Sequence, residues 1–118
     1  VAYASNSQRP YEFTIAPVGA IKKVLAIAGW SAGDVDLWEV NEAFAMVTML
    51  AIDGFHLDPA KVNVNGGACA LGHPLGSSGS RIIVTLLHAL KRTGGKKGVA
   101  ALCIGGGEAT AIAVELLD

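Results

Sequence analysis

Three short motifs hold the side chains of this sequence that could do chemistry. They are residues 41–44 (NEAF), 72–74 (GHP) and 103–107 (CIGGG). Each motif follows a predicted strand or contains the last residue of one. Active sites of α/β folds collect at the edge of the sheet where neighbouring strands end. If the three strands are neighbours, we expect the three motifs to lie along one edge.

His73 lies between Gly72 and Pro74, directly before a predicted helix. The surrounding glycines let the backbone and a ligand come close to the ring, and an imidazole with an ordinary pKa of about 6.5 can accept a proton near neutral pH. The alternative is a surface or core histidine in a turn whose glycines and proline only set backbone angles. A nucleotide-binding loop is not indicated, because no GxGxxG directly follows a strand and no GKS or GKT ends the segment.

Cys103 ends an apolar run and precedes the glycines at 105–107. Its thiol could simply be a small buried apolar group, as free cysteines often are. A thiol with an ordinary pKa of about 8.5 can also exchange a proton with a carbonyl substrate, and the glycine N–H groups could form an oxyanion hole. Cys69 is predicted to serve packing. The two cysteines indicate neither a disulfide scaffold nor a zinc site, and they favour free thiols in a reducing compartment.

Alternating strand and helix patterns would position these motifs. The apolar periodicity predicts strands at 1–6, 35–40, 62–64, 98–104 and 109–116, helices at 17–28, 42–55 and 77–92, and a hairpin turn at 105–108. The order βαβαβαββ predicts an α/β layered domain with a mixed five-stranded sheet. Asn41 could cap the second helix, and it could also present its amide to a water or a carbonyl oxygen; the two roles are compatible.

The composition indicates an apolar surface that needs cover. Of the 118 residues, 52% are hydrophobic and only 16% are charged, against roughly 25% charged in ordinary soluble domains. No apolar run reaches the roughly 18 residues of a membrane span, and a net charge of -1 gives no electrostatic footprint for nucleic acid. The predicted helix 42–55 is apolar almost all round and has to be covered on every side. We expect one domain that is the later part of a longer protein, with another segment supplying the missing layer.

Taken together, the segments 41–44 (NEAF), 66–81 (GGACALGHPLGSSGSR) and 103–111 (CIGGGEATA) closely resemble the C-terminal domain of thiolases, the acetyl-CoA acetyltransferase and 3-ketoacyl-CoA thiolase family. The resemblance runs over residues 1–118. It implies a thiolase-like fold of two similar halves packed as five layers, αβαβα, with this chain as the second half and the helix after His73 in the central layer. No segment resembles the N-terminal half with its nucleophilic cysteine or the loop domain that grips CoA, so the chain alone is expected to be inactive.

The resemblance also implies roles for five residues. His73 resembles the histidine that activates the nucleophilic cysteine and donates to the thioester oxygen in one oxyanion hole. Asn41 resembles the residue that holds a water in that hole, and Cys103 resembles the second cysteine, which moves a proton to and from the acetyl methyl group. The N–H of Gly105 would join the second oxyanion hole, and Phe44 would line the acyl and pantetheine pocket.

The same resemblance implies the partners of the chain. Coenzyme A and acyl-CoA would be substrates, with no permanently bound cofactor and no metal. The N-terminal thiolase half and further copies of the enzyme, as a dimer or tetramer, would be the protein partners, with neither nucleic acid nor membrane involved. The compartment would be cytoplasmic, or mitochondrial or peroxisomal in a eukaryote. Two alternatives stay open: a non-catalytic module that binds CoA or a partner, and a decarboxylating condensing enzyme, which would lack a cysteine in the CxGGG position.

Overall fold

A four-stranded mixed sheet with helices on both faces forms the architecture in the computed structural model, which describes residues 1–117. The predicted domain of residues 1–118 thus extends one residue beyond the described ones. The elements, in chain order, are β1 (Ala2–Ser7), α1 (Ala16–Ala28), β2 (Leu37–Val40), α2 (Ala45–Phe55), α3 (Ala68–Leu71), α4 (Ser78–Thr93), β3 (Lys97–Gly105) and β4 (Glu108–Glu115), with short 3-10 turns at Pro10–Glu12, Ala32–Asp34 and Pro59–Lys61.

The strand order across the sheet is β1-β4-β3-β2. Strand β2 runs parallel to β3, and the other two pairings are antiparallel. The prediction of a fifth strand at 62–64 is wrong, because Val62 forms only an isolated bridge to Trp38. Asn63 then takes a left-handed conformation with φ 49°, which an extended strand cannot accommodate.

The long helices begin and end largely where the sequence indicates. Helix α1 has Pro17 in its first turn and ends at Gly29 in the left-handed conformation, and α4 ends in the same way at Gly94. Helix α2 begins later than predicted, with Phe44 at its N-cap. The N-cap role expected for Asn41 is therefore wrong. The N–H of Asn41 donates to the carbonyl of Ala101 at 2.9 Å, so the residue still belongs to the parallel ladder.

Two apolar cores lie on opposite faces of the sheet. Helices α1 and α2 cover one face around Trp38 and Val40, and α4 covers the other face through Ile82 and Leu86. The helices therefore form layers on both sides, but the cover is incomplete: Tyr3 of β1 is 79% exposed on the α4 side, and Met49 of α2 is 65% exposed. The apolar surface expected from the composition is present on both sides.

The hairpin between β3 and β4 confirms the predicted turn. Gly106 and Gly107 occupy its two central positions with φ 63° and 83°, the left-handed angles of a type I′ turn. A register shift between Cys103 and Gly105 places a bulge just before the turn. The N–H of Gln8 donates to the carbonyl of Gly107 at 3.0 Å, which ties the turn to the end of β1.

We predict that Gly107→Ala destabilises the protein more than Gly106→Ala. Both changes put a side chain at positive φ, at a cost of about 1–2 kcal/mol. At position 107 the added Cβ would also lie 2.4 Å from the backbone oxygen of Gln8, whereas no atom lies within 4 Å at position 106. We therefore expect a loss of roughly 3 kcal/mol for Gly107→Ala. Urea unfolding of both variants measures the difference in the free energy of unfolding. Equal losses would show that a Cβ at position 107 does not clash with the backbone oxygen of Gln8.

Candidate active site

A cleft of about 500 Å³ lies at the carboxyl ends of β2 and β3, and residues of all three motifs line it. Its lining residues are Phe13, Ala43, His73, Leu75, Leu102, Cys103, Ile104 and Gly105. The structure thus brings the three motifs to one edge of the sheet, as expected from their places after predicted strands, although the segment before the GHP motif does not form a strand. Phe44 stands beside this lining, with its ring edge against Phe13 at a centroid distance of 5.7 Å.

His73 has one ring nitrogen fixed and the other turned toward an amide. Its Nδ1 lies 2.5 Å from Ser78 Oγ, and the Ser78 hydroxyl donates its only proton to the carbonyl of Pro74 at 3.2 Å. With this proton on the Pro74 carbonyl, Ser78 Oγ is assigned as the acceptor of Nδ1–H, which leaves the lone pair on Nε2. The tautomer assigned in this way makes Nε2 the basic atom of the ring.

The amide of Asn41 faces that basic atom. Asn41 Nδ2 lies 3.4 Å from His73 Nε2, and Arg81 Nη2 donates to Asn41 Oδ1 at 3.5 Å. These two contacts assign the amide orientation, since the guanidinium only donates and Nε2 accepts. Asn41 is only 1% exposed, so its side chain belongs to the floor of the site.

A buried ion pair lies beneath Asn41. Glu39 Oε2 is 3.8 Å from Arg81 Nη1, and Glu39 is 1% exposed. Burial raises the pKa of Glu39 to about 7, although the positive charge of Arg81 opposes that rise. Sequence reasoning missed both residues. The available signal was a glutamate inside the apolar run of residues 35–40 and an arginine in the first turn of α4.

Glu42 braces the glycine-rich segment from the other side. Its Oε2 accepts the N–H of Cys69 at 3.0 Å, and its Oε1 accepts from Asn63 Nδ2 at 3.2 Å. A Cβ on Gly67 would lie 2.2 Å from the Glu42 carboxyl carbon, so a side chain there would displace this carboxylate from its hydrogen bonds. The Cys69 thiol is exposed, so Cys69 does not pack into the core of this domain.

Cys103 and Gly105 stand at the other wall of the cleft. Cys103 is buried at the last regular pair of β3, and this burial raises the pKa of its thiol. Gly105 follows the bulge with φ 83°, and no atom lies within 4 Å of where its Cβ would be. A thiol with a raised pKa therefore lines the same cleft as the imidazole of His73.

Residues 1–117 contain neither a metal-binding cluster nor a helix that could span a membrane. Within residues 1–117, no three side chains of the His, Cys, Asp or Glu type are grouped so that they could hold a metal ion. None of the helices in that range has the length and apolar character needed to cross a membrane.

The fold and the cleft define an α/β layered domain with an imidazole and a thiol at one candidate acid–base site. The whole of residues 1–116 matches the family model for the thiolase C-terminal domain. The cytosolic acetyl-CoA acetyltransferase of Mus musculus is 54% identical over 115 residues, which are 98% of this chain and 29% of the mouse protein. The acetyl-CoA acetyltransferase of Cupriavidus necator is 51% identical over 114 residues, 97% of this chain and 29% of the bacterial one.

Solved structures agree with the sequence relatives. Human mitochondrial 3-ketoacyl-CoA thiolase in complex with CoA has a TM-score of 0.96 at 48% identity, over 100% of this chain and 30% of that chain. A thiolase from Ascaris suum in complex with coenzyme A has a TM-score of 0.93 at 50% identity, over 99% and 30%. The chain therefore belongs to the thiolase family, as its C-terminal domain, and it has the thiolase-like fold. It spans about 29% of the length of the acetyl-CoA acetyltransferases it matches.

We predict that Glu39 makes the protein less stable as pH rises from about 4.5 to 7. Its pKa is 4.5 in the ordinary state and about 7 in the fold, so the folded state binds more protons across this window and loses stability as that proton leaves. Glu39→Gln should remove this fall in the free energy of unfolding. Urea titrations at a series of pH values measure the slope.

Asp36→Asn serves as the control for that titration. Backbone N–H groups of Lys97 and Lys96 lower the pKa of Asp36 below 3.8, so its own contribution is lost only under more acidic conditions. The variant should lose stability at neutral pH without changing the slope between pH 4.5 and 7. An unchanged slope in Glu39→Gln would show that Glu39 stays ionised throughout.

Proposed function

We propose that this chain is the C-terminal acid–base half of a thiolase that transfers acyl groups between CoA thioesters. The reaction is the formation of acetoacetyl-CoA from two acetyl-CoA molecules or the thiolytic cleavage of a 3-ketoacyl-CoA. The observation that carries the proposal is that one cleft is lined both by His73 and by the buried Cys103. Two of the neighbouring thiolase structures are complexes with CoA, which supports CoA thioesters as the substrates.

In the first step, His73 acts on a nucleophilic cysteine supplied by the N-terminal half of the enzyme. Nε2 takes the thiol proton, the thiolate attacks the thioester carbonyl, and the departing CoA sulfur takes the proton back. Ser78 keeps Nδ1 protonated throughout, so the proton enters and leaves at one atom. Asn41 Nδ2 is placed to hold a water beside Nε2, where the thioester oxygen would be stabilised.

In the second step, Cys103 exchanges a proton with carbon. Its thiolate removes a proton from the methyl group of acetyl-CoA, and the resulting carbanion attacks the acyl-cysteine and releases the nucleophile. Burial raises the pKa of the Cys103 thiol, so its thiolate, once formed, is a stronger base toward a weak carbon acid. The N–H of Gly105 would stabilise the thioester oxygen of the acyl-enzyme together with the N–H of the nucleophile, and Phe44 would border the acyl chain. Cleavage runs through the same steps in reverse.

The partners follow from the same proposal. The N-terminal half would cover the exposed apolar side chains around the cleft, and the assembled enzyme would be a dimer or tetramer. Relatives of the chain include a cytosolic enzyme of Mus musculus and a mitochondrial enzyme of Bos taurus. We place this protein in the cytoplasm or, in a eukaryote, in mitochondria or peroxisomes.

We predict that two variants of the full-length enzyme separate the roles of His73 and Cys103. His73→Ala should lose both exchange of CoA into acetyl-CoA and condensation, by about 10²-fold or more, because the same base serves acylation in either assay. Cys103→Ser should depress condensation and thiolysis while exchange stays comparatively intact, because a hydroxyl is a far weaker acid than a thiol. Both activities are measured on each variant.

Cys69→Ser is the matched control, since it makes the same change at the exposed cysteine. It should leave exchange and condensation near the wild-type rates. Equal loss of both activities in Cys103→Ser, or normal exchange in His73→Ala, would contradict the assigned roles. A wild-type enzyme that binds CoA but turns over neither assay would favour a non-catalytic binding module.

A further inference from the structure

Four polar side chains form a continuous row from the core of the domain to the cleft. Glu39 Oε2 lies 3.8 Å from Arg81 Nη1, Arg81 Nη2 donates to Asn41 Oδ1 at 3.5 Å, and Asn41 Nδ2 lies 3.4 Å from His73 Nε2. Arg81 thus touches a carboxylate with one nitrogen and the amide of the candidate site with another. The row joins strand β2 to the first turn of helix α4.

The inner half of this row is costly to bury. The Glu39 side chain is 2% exposed and that of Arg81 is 20% exposed, and their contact is an ion pair without a hydrogen bond. Four polar atoms of the pair have no hydrogen-bond partner among the described residues: Oε1 and Oε2 of Glu39, and Nε and Nη1 of Arg81. Apolar pairs of similar size often match or exceed the stability given by such buried ion pairs. The presence of the pair is therefore weak evidence for a stabilising role.

We propose that Arg81, held by Glu39, is a positioning residue that orients and polarises the Asn41 amide toward His73 Nε2. This inference rests on the function proposed above. The guanidinium can only donate, so it holds Oδ1 on its own side and turns Nδ2 to the imidazole. A flipped amide would instead put an oxygen lone pair against the lone pair of Nε2.

The charge of the pair adds to this orientation. A hydrogen bond from a cation to Oδ1 withdraws electron density from the amide, so Nδ2–H becomes a stronger donor to the water or oxyanion at the site. Above its pKa of about 7, the ionised Glu39 balances the positive charge of Arg81. His73 can then become an imidazolium during acylation without facing an uncompensated cation.

The test compares Arg81→Lys with Arg92→Lys in the full-length enzyme. Arg92 is a matched control, because its Nη2 also donates to an asparagine Oδ1, that of Asn65, at 2.7 Å. Arg92 belongs to the same helix, α4, but it is exposed and lies in the last turn. A lysine keeps the charge but cannot contact two partners as the fork does. We expect Arg81→Lys to lower kcat for CoA exchange about tenfold or more, with little change in KM, and Arg92→Lys to leave both unchanged.

The coupling to Asn41 is measured in a double-mutant cycle. If Arg81 acts through Asn41, then Arg81→Lys should have no further effect on kcat in an Asn41→Ala background. Independent, multiplicative losses would overturn the proposal. A wild-type enzyme without CoA exchange would overturn the proposed function itself, whereas an active wild type with Arg81→Lys equal to Arg92→Lys would overturn only the role of Arg81.

The double variant Glu39→Leu/Arg81→Met separates positioning from folding. Replacing both charges by apolar groups should preserve the thermal midpoint, because no unpaired charge is left in the core. Exchange should nevertheless stay about tenfold or more below wild type, since nothing then holds the amide. A stable double variant with wild-type kcat would mean that the pair serves only the fold, and would overturn the proposal.

Discussion

The parallel pairing of β2 with β3 is the contact on which the site depends. The last pair of the two strands joins Val40 to Ala101, the N–H of Asn41 still donates to the Ala101 carbonyl, and β3 then continues past β2 to Gly105. This register puts the NEAF motif beside the end of the strand that contains Cys103. On the α4 face, a Cβ at Gly98 would lie 2.9 Å from the side chain of Leu86, so α4 packs closely against β3 at this glycine.

The glycine-rich segment reaches the same edge through side-chain hydrogen bonds rather than through a strand. Asn63 accepts the N–H of Val40 and donates to its carbonyl, both at 2.8 Å, in the place where a fifth strand would continue the ladder. Glu42 then holds the next turn by its contact with the Cys69 N–H. Gly67 makes room for that carboxylate, and Gly72, with φ 95°, redirects the chain into His73. The glycines around the histidine thus let a loop approach β2 closely and turn the imidazole toward Asn41.

The parts of this arrangement that the sequence predicted are the ones with local causes. Periodicity and end signals such as Pro17 and Gly29 located the long helices, and consecutive glycines located the hairpin. The strand predicted at 62–64 does not form, because hydrogen bonds to Val40 at the end of β2, far away along the chain, stabilise Asn63 in the left-handed conformation. The Asn41 cap failed because a ladder partner on β3 competes for the residue. The roles proposed for His73 and Cys103 came from the family resemblance, since no spacing rule relates a histidine to a cysteine thirty residues later.

The ion pair of Glu39 and Arg81 could not be predicted from the sequence, because it depends on how β2 is buried in the fold. A single glutamate in a strand reads as the exposed position of an alternating pattern, but all four residues of β2 are buried because helices cover both faces of the strand. The glutamate must therefore meet a cation on the facing helix, and Arg81 is the residue of α4 whose position allows it. That cation in turn has a second nitrogen left for the amide at the edge of the sheet. Because both faces of β2 are buried, the Glu39 carboxylate contacts Arg81, and Arg81 connects the core to the Asn41 amide at the cleft.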